Sequence, residues 1–267
     1  MSRMPVMFVG HGSPMNAIES NPFTEQWQKI GAEIPRPEAI LSISAHWFTR
    51  GTRVSDAEQP RMVYDMYGFP AELYRVRYDA PGSLTLAAQV QKALGNRVQA
   101  DATWGLDHGT WSVLRWMFPA ADIPVVQLSV DANASMRDYF EMGKRLAPLR
   151  EQGILIFGSG NVVHHLARVA WDMRGGFPWA DEFDAYIKTN ILARHAENVI
   201  DYHRAGASAS LAFPTPDHFA PLLYALGASN AGDTVRVFND QRVLGSLSMT
   251  GYLFETQTAA TGEQEEI

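Results

Sequence analysis

Five histidines in this chain stand where loops leave apolar segments, and imidazoles arriving from separate segments can share one metal ion or relay protons. His11 follows "VMFVG" and lies between Gly10 and Gly12, with Pro14 setting the exit from the turn. Such flanks suit a rigidly held ligand and equally a tight turn. His46 follows "ILSISA" beside Trp47 and Phe48, an apolar setting in which an unpaired imidazole costs about 1 to 3 kcal/mol. A metal or a hydrogen-bond partner removes that cost. His164 comes after "ILIFGSGNVV", and His218 lies in the proline-stiffened "FPTPDHF". His108, in "WGLDHGTW", reads equally as a capped helix start or as a site residue.

The remaining histidines read more plainly. His195 and His203 lie in the helical pattern "NILARHAENVIDYH" and are read as ordinary helix residues, while His165 adjoins His164 and can face the other way. Gly158-Ser159-Gly160-Asn161 lacks the spacing of a dinucleotide loop and the Lys-Ser/Thr of a P-loop. Neither Ser13 nor Ser159 sits in a G-x-S-x-G elbow. With no cysteine in the chain, a transition metal must be held by imidazole, carboxylate or carbonyl groups.

The elements that must position these side chains follow from hydropathy. Short apolar runs at 6–9, 39–44, 123–130 and 154–157 are expected strands. Apolar residues at three- and four-residue spacings predict helices over 84–94, 111–117, 136–149 and 182–202. This alternation predicts a single α/β domain, its central sheet largely parallel or mixed with helices on both faces. "TVRVFND" and "LGSLSMTGYLF", flanking "QRV", add a smaller antiparallel strand set near the C-terminus. In such sheets ligands bind beyond the carboxyl ends of the strands, where His11, His46 and His164 would then emerge. The stretch from Arg50 to Pro70 is irregular and long enough to cover a site.

Composition narrows the partners. The 267 residues are 46% hydrophobic, enough for a sizeable core, and the formal charge of −7 without a dense basic stripe argues against nucleic acid or an anionic membrane. The start, "MSRMPVMFVG", is too short an apolar run for an export signal or a membrane span, which predicts a cytoplasmic protein. Residues 1–255 are expected to form the catalytic domain and the acidic 256–267 a flexible tail. Nothing in the sequence specifies an oligomeric state.

Taken in order, "GHGSP", "SAHW", "DHGTW", "GSGNVVHHL" and "PTPDHFAPL" resemble the class III extradiol ring-cleavage dioxygenase superfamily, most closely its DOPA 4,5-dioxygenase-type branch. The resemblance implies that His11, His46 and His218 are ligands of one divalent metal ion. It implies that His164 is the acid/base histidine, with His165 a one-residue alternative, and that His108 hydrogen-bonds substrate or oxygen. Relatives with a two-His, one-carboxylate site have Glu where this chain offers His218. The implied reaction inserts O2 into a catechol such as DOPA.

An extradiol enzyme must seat both catechol oxygens on one metal, keep a position for O2 and provide a base for the phenolic proton. Fe(II) is the expected metal for oxygenation, because Zn2+ has no accessible redox change; zinc is expected in protein as purified, by the Irving–Williams order. Three histidines with an open position also describe a hydrolytic zinc site, and a non-enzymatic metal-binding interaction protein is a third reading. Trp47, Tyr67, Phe69 and Phe219 are candidates to pack against a substrate ring, and Arg50 or Arg75 could clamp a carboxylate.

Overall fold

The computed structural model describes residues 3–95 and 98–256. The strands are β1 (Val6–Gly10), β2 (Ala39–Thr49), β3 (Thr52–Ser55), β4 (Val98–Asp101), β5 (Val125–Asp131), β6 (Ile154–Gly160), β7 (Asp233–Phe238), β8 (Arg242–Val243), β9 (Leu247–Ser248) and β10 (Gly251–Thr256). Eight of them form one sheet in the order β4-β3-β5-β2-β6-β1-β10-β7. Its centre, β5-β2-β6-β1, is parallel. Antiparallel pairing flanks it, β3 against β5 on one side and β10 against β1, then β7 against β10, on the other. The two C-terminal strands therefore extend the main sheet, and only β8 and β9 stand apart as a two-stranded ribbon.

The helices are α1 (Pro22–Glu33), α2 (Leu84–Leu94), α3 (His108–Met117), α4 (Met136–Leu146), α5 (Pro178–Leu192), α6 (Ala196–Ile200), α7 (Ala209–Ala212) and α8 (Ala220–Ala228). Strand residues alternate between the two faces. Val6, Phe8, Leu41, Ile43 and Ile156 join the core built with α2, α4, α5 and α8. Met7, Val9, Ile40, Leu155 and Phe157 join the core built with α1 and α3. Period-two side-chain direction in a sheet covered on both faces produces this division.

Several boundaries move for identifiable reasons. The expected helix over 111–117 starts three residues earlier because Asp107 caps it, accepting from the Thr110 amide. The one over 136–149 gives way after Leu146 to a 3-10 turn containing Pro148, whose ring removes a donor. The one over 182–202 begins at Pro178 and is broken after Leu192, with Arg194 at a φ of +60°. The strand expected over 123–130 starts at Val125, after Pro124. Within the stretch 50–70, Thr52–Ser55 is a strand of the main sheet. Of the expected acidic tail, Thr256 belongs to β10, and 257–267 lie outside the described residues. Among the described residues no helix is long and apolar enough to cross a membrane.

Candidate metal centre

The parallel strands β1, β2 and β6 release their chains on one edge, and the histidines collect there. His11 follows β1 directly, its amide donating to the Gly160 carbonyl at the end of β6 (3.1 Å). One residue on, the Asn161 amide donates to the carbonyl of His218 (3.0 Å), which brings the approach to α8 against the end of β6. That approach needs glycine: a Cβ on Gly160 would lie 2.1 Å from the His218 oxygen. At the first turn, Gly12 holds a φ of +63° against Met249, so the glycine beside His11 has a conformational reason. His46 lies in the irregular stretch of β2 between Ile43 and Phe48, where the register against β5 shifts.

One ring nitrogen each from His11, His46 and His218 lies within 4.8 Å of the other two. The tautomers follow from the partners. The Ser159 hydroxyl donates to the Gly109 carbonyl (2.5 Å), so it accepts the Nδ1 proton of His11 (2.9 Å). The Nδ1 of His218 donates to Asp217 (2.7 Å) and that of His46 to Asp65 (3.0 Å). When these rings are neutral, all three Nε2 atoms present lone pairs. Those of His11 and His46 face each other at 3.0 Å, and that of His218 is buried with no hydrogen-bond partner. Such a set repels itself unless a cation sits among it, and neutral imidazoles braced at Nδ1 are the form in which histidine binds divalent metals. The donor set therefore fits one ion.

Two more histidines border this trio. His164 stacks flat on His218, with ring centroids 3.5 Å apart and planes 4° from parallel. His108, at the start of α3, has its ring centroid 3.9 Å from that of His46, and its Nδ1 lies 3.0 Å from Asp65. His165 is turned away, its Nδ1 bonded to the Leu211 carbonyl (2.8 Å) and its ring edge-on to Trp179. His195 stands at the position before α6, and His203 lies against Tyr202. Asp65 was not anticipated from sequence. Its only signal is an acidic residue in the irregular stretch after β3, and nothing in spacing ties it to His46 and His108.

A family model described as the catalytic LigB subunit of aromatic ring-opening dioxygenase matches residues 1–254. The chain belongs to the LigB family. It is 46% identical over 257 residues to a 4,5-DOPA dioxygenase extradiol of Escherichia coli (strain K12), covering 93% of each chain. To the 4,5-DOPA dioxygenase extradiol of Beta vulgaris it is 38% identical over 256 residues, covering 92% of this chain and 95% of the other. The crystal structure of an uncharacterized Escherichia coli K12 protein superposes with a TM-score of 0.82 at 42% identity, covering 94% of this chain and 99% of that one. The extradiol resemblance read in the sequence is borne out, and the chain is an oxidoreductase of a metal-dependent, ring-opening kind.

The aromatic side chains expected to line a LigB substrate pocket divide by burial. Trp47 is buried and stacked on Trp104, and Phe219 is packed among Phe183, Tyr202 and Phe213; both serve the core. Phe69 is partly buried against the α1/α3 core, whereas Tyr67 is 92% exposed. Arg50 and Arg75 are exposed.

Burial dominates the electrostatics of the LigB site. It holds His11 well below the usual imidazole range, reinforced by His46, His108, His218 and His164. It lowers His218 against the pull of Asp217, and brings His108 down to about 4 and His164 to about 2. His46 moves up: burial opposes this, but the hydrogen bond and charge of Asp65 prevail. Burial likewise works against Asp65, yet its bonds from His108 and His46 hold it well below the carboxylate range. Asp107 is pushed up to about 6 by burial and the nearby Asp65 charge.

These directions set a sign for acid sensitivity. Four buried histidines stay neutral in the folded chain but take up protons near pH 6.5 when unfolded, so their stabilisation is lost as pH falls below that value. His46 works oppositely, its stabilisation being lost as pH rises through its raised value; the raised Asp107 and Asp184 also favour the folded chain toward acid. The four outweigh these three. The denaturation midpoint of metal-free protein should fall between pH 7.5 and 5.5, at about 1.4 kcal/mol per pH unit for each net proton excluded. Urea titrations across that range test it, and a rising midpoint contradicts it.

Proposed function

We propose that this dioxygenase opens the ring of a catechol, DOPA or a close analogue, beside an ion held by His11, His46 and His218. His164 is the proton acceptor and donor, and His108 the hydrogen-bonding group of the pocket. The observation that carries the reading is the convergence of one ring nitrogen each from His11, His46 and His218, with the Nε2 of His218 buried without a partner. The relatives named as 4,5-DOPA dioxygenases support the substrate class. When bound, Fe(II) supplies the electron relay between catecholate and dioxygen that Zn2+ does not.

The chain's own part is positional and protic. Ser159, Asp65 and Asp217 brace the three ligand rings, so the lone pairs are directed before any ion arrives. His164 is neutral at physiological pH and so is ready to take a phenolic proton. Its low basicity means that it returns the proton readily, and an anionic substrate beside it raises that basicity while the proton is held.

Metal analysis of protein purified without added metal should find zinc, since the three neutral ligands suit it. Anaerobic loading with Fe(II), followed by oxygen and a catechol panel including DOPA, should consume O2 and form a yellow ring-opened product. No uptake with any catechol overturns the proposal. The all-histidine ligand set also favours zinc-dependent hydrolysis as a second reading. Ester turnover that persists without oxygen would select it.

A further inference from the structure

Asp65 stands at a junction that bracing of a metal ligand alone does not explain. Its Oδ2 lies 3.0 Å from the Nδ1 of His46 and 3.0 Å from the Nδ1 of His108, and its Oδ1 accepts the His108 backbone amide at 3.0 Å. One carboxylate thus grips a metal-facing histidine, a pocket histidine and the first turn of α3. The segment carrying it is fixed on both sides. The Leu106 amide donates to the Arg61 carbonyl (2.8 Å) and the Val63 amide to the Leu106 carbonyl (2.7 Å). The Trp111 indole donates to the Val63 carbonyl (3.0 Å), and the Tyr64 hydroxyl to the Val76 carbonyl (2.6 Å). The loop before the "DHG" turn is therefore the template for the loop at 61–66, and Asp65 is delivered as a fixed wall of the site.

An ionised carboxylate only accepts hydrogen bonds, so both Nδ1 atoms must carry protons. The two rings then have no freedom to exchange tautomers independently. We propose that Asp65 is a positioning residue which couples His46 to His108, fixing the Nε2 of His108 as an unprotonated acceptor toward the substrate. Resting on the catechol reading above, this adds a selection rule: the substrate group that meets His108 must be a hydrogen-bond donor, such as a phenolic hydroxyl. A ligand presenting only an ether or carbonyl oxygen there finds two facing acceptors, which is unfavourable in a buried site.

The test uses zinc-loaded protein and needs no turnover, so its outcome is separable from that of the ring-opening assay. Long-range proton–nitrogen NMR of the imidazoles should show protonated Nδ1 and bare Nε2 at His108. In Asp65→Asn, which keeps the shape, and in Asp65→Ala, the His108 signal should move toward the Nε2-protonated form while those of His11 and His218 stay in place. Zinc affinity should weaken roughly 10- to 100-fold. In Fe(II)-loaded protein at saturating metal, catechol should be preferred over its mono-O-methyl ether by a smaller margin in the variants than in the parent. A parent His108 protonated on Nε2 overturns the proposal, as do variants in which the His108 tautomer is unchanged, whatever happens to zinc affinity.

Discussion

His218→Ala protein is expected to come off a chelating column with no bound metal, and reconstitution with Fe(II) should restore no oxygen uptake. The reason lies in which atoms are lost. Only the ring is removed, while the His218 carbonyl that receives the Asn161 amide and the start of α8 stay intact. The fold is therefore expected to survive, as circular dichroism would verify. What disappears is the Nε2 that is buried without a partner, together with the charge-assisted bond to Asp217 that aims it. Two imidazoles cannot hold an ion as three do, so the loss of affinity should exceed the roughly 10- to 100-fold typical of a lost bracing residue. Metal stoichiometry by elemental analysis decides: a variant still carrying one ion per chain removes His218 from the ligand set.

The second large effect separates chemistry from metal binding. His164→Gln is expected to keep its ion and lose about 10²- to 10⁴-fold in kcat, the range for removing a positioned acid or base. His164 meets the trio through the flat stack on His218, not through a nitrogen shared with the ligands. Glutamine can fill part of that volume but cannot accept and return a proton. His165→Gln is the built-in control, because its ring nitrogen is bonded to the Leu211 carbonyl, away from the cluster. A loss carried by His165→Gln with His164→Gln unaffected would reverse the assignment.

How much of this was legible depended on the kind of signal. The strands that deliver the histidines read directly from hydropathy, because buried parallel strands are nearly continuous apolar runs. Helix α8 was not read, since "APLLYALGA" is buried on every side and has no polar face to mark its period. Helix α1 was missed although its cues are present: Asn21 caps it, Thr24 completes the capping box and Pro22 opens it. At the site, the histidines lie in or just beyond apolar strands or at loop-to-helix junctions and within motifs that carry the family resemblance, so the trio and its two neighbours were nameable in advance. The braces were not. Ser159 and Asp65 reach their histidines across long stretches of chain, 148 positions for Ser159 and 19 and 43 for Asp65, while Asp217 adjoins His218 but nothing in the sequence shows its carboxylate turning back onto that ring.

The proposed ligand histidines enter the chain early and late: His11 just after β1, His46 within β2, His218 just ahead of α8. Strand β1 lies in the sheet interior, between β6 and the last strand, β10. A nascent chain leaving the ribosome thus carries two of the three proposed ligand imidazoles for most of its synthesis with no third to complete the set. On the proposed ligand set, premature termination anywhere before His218 is expected to yield a product that does not retain the ion. Metal retention would then report that translation has passed His218 and that the long-range strand pairings have closed.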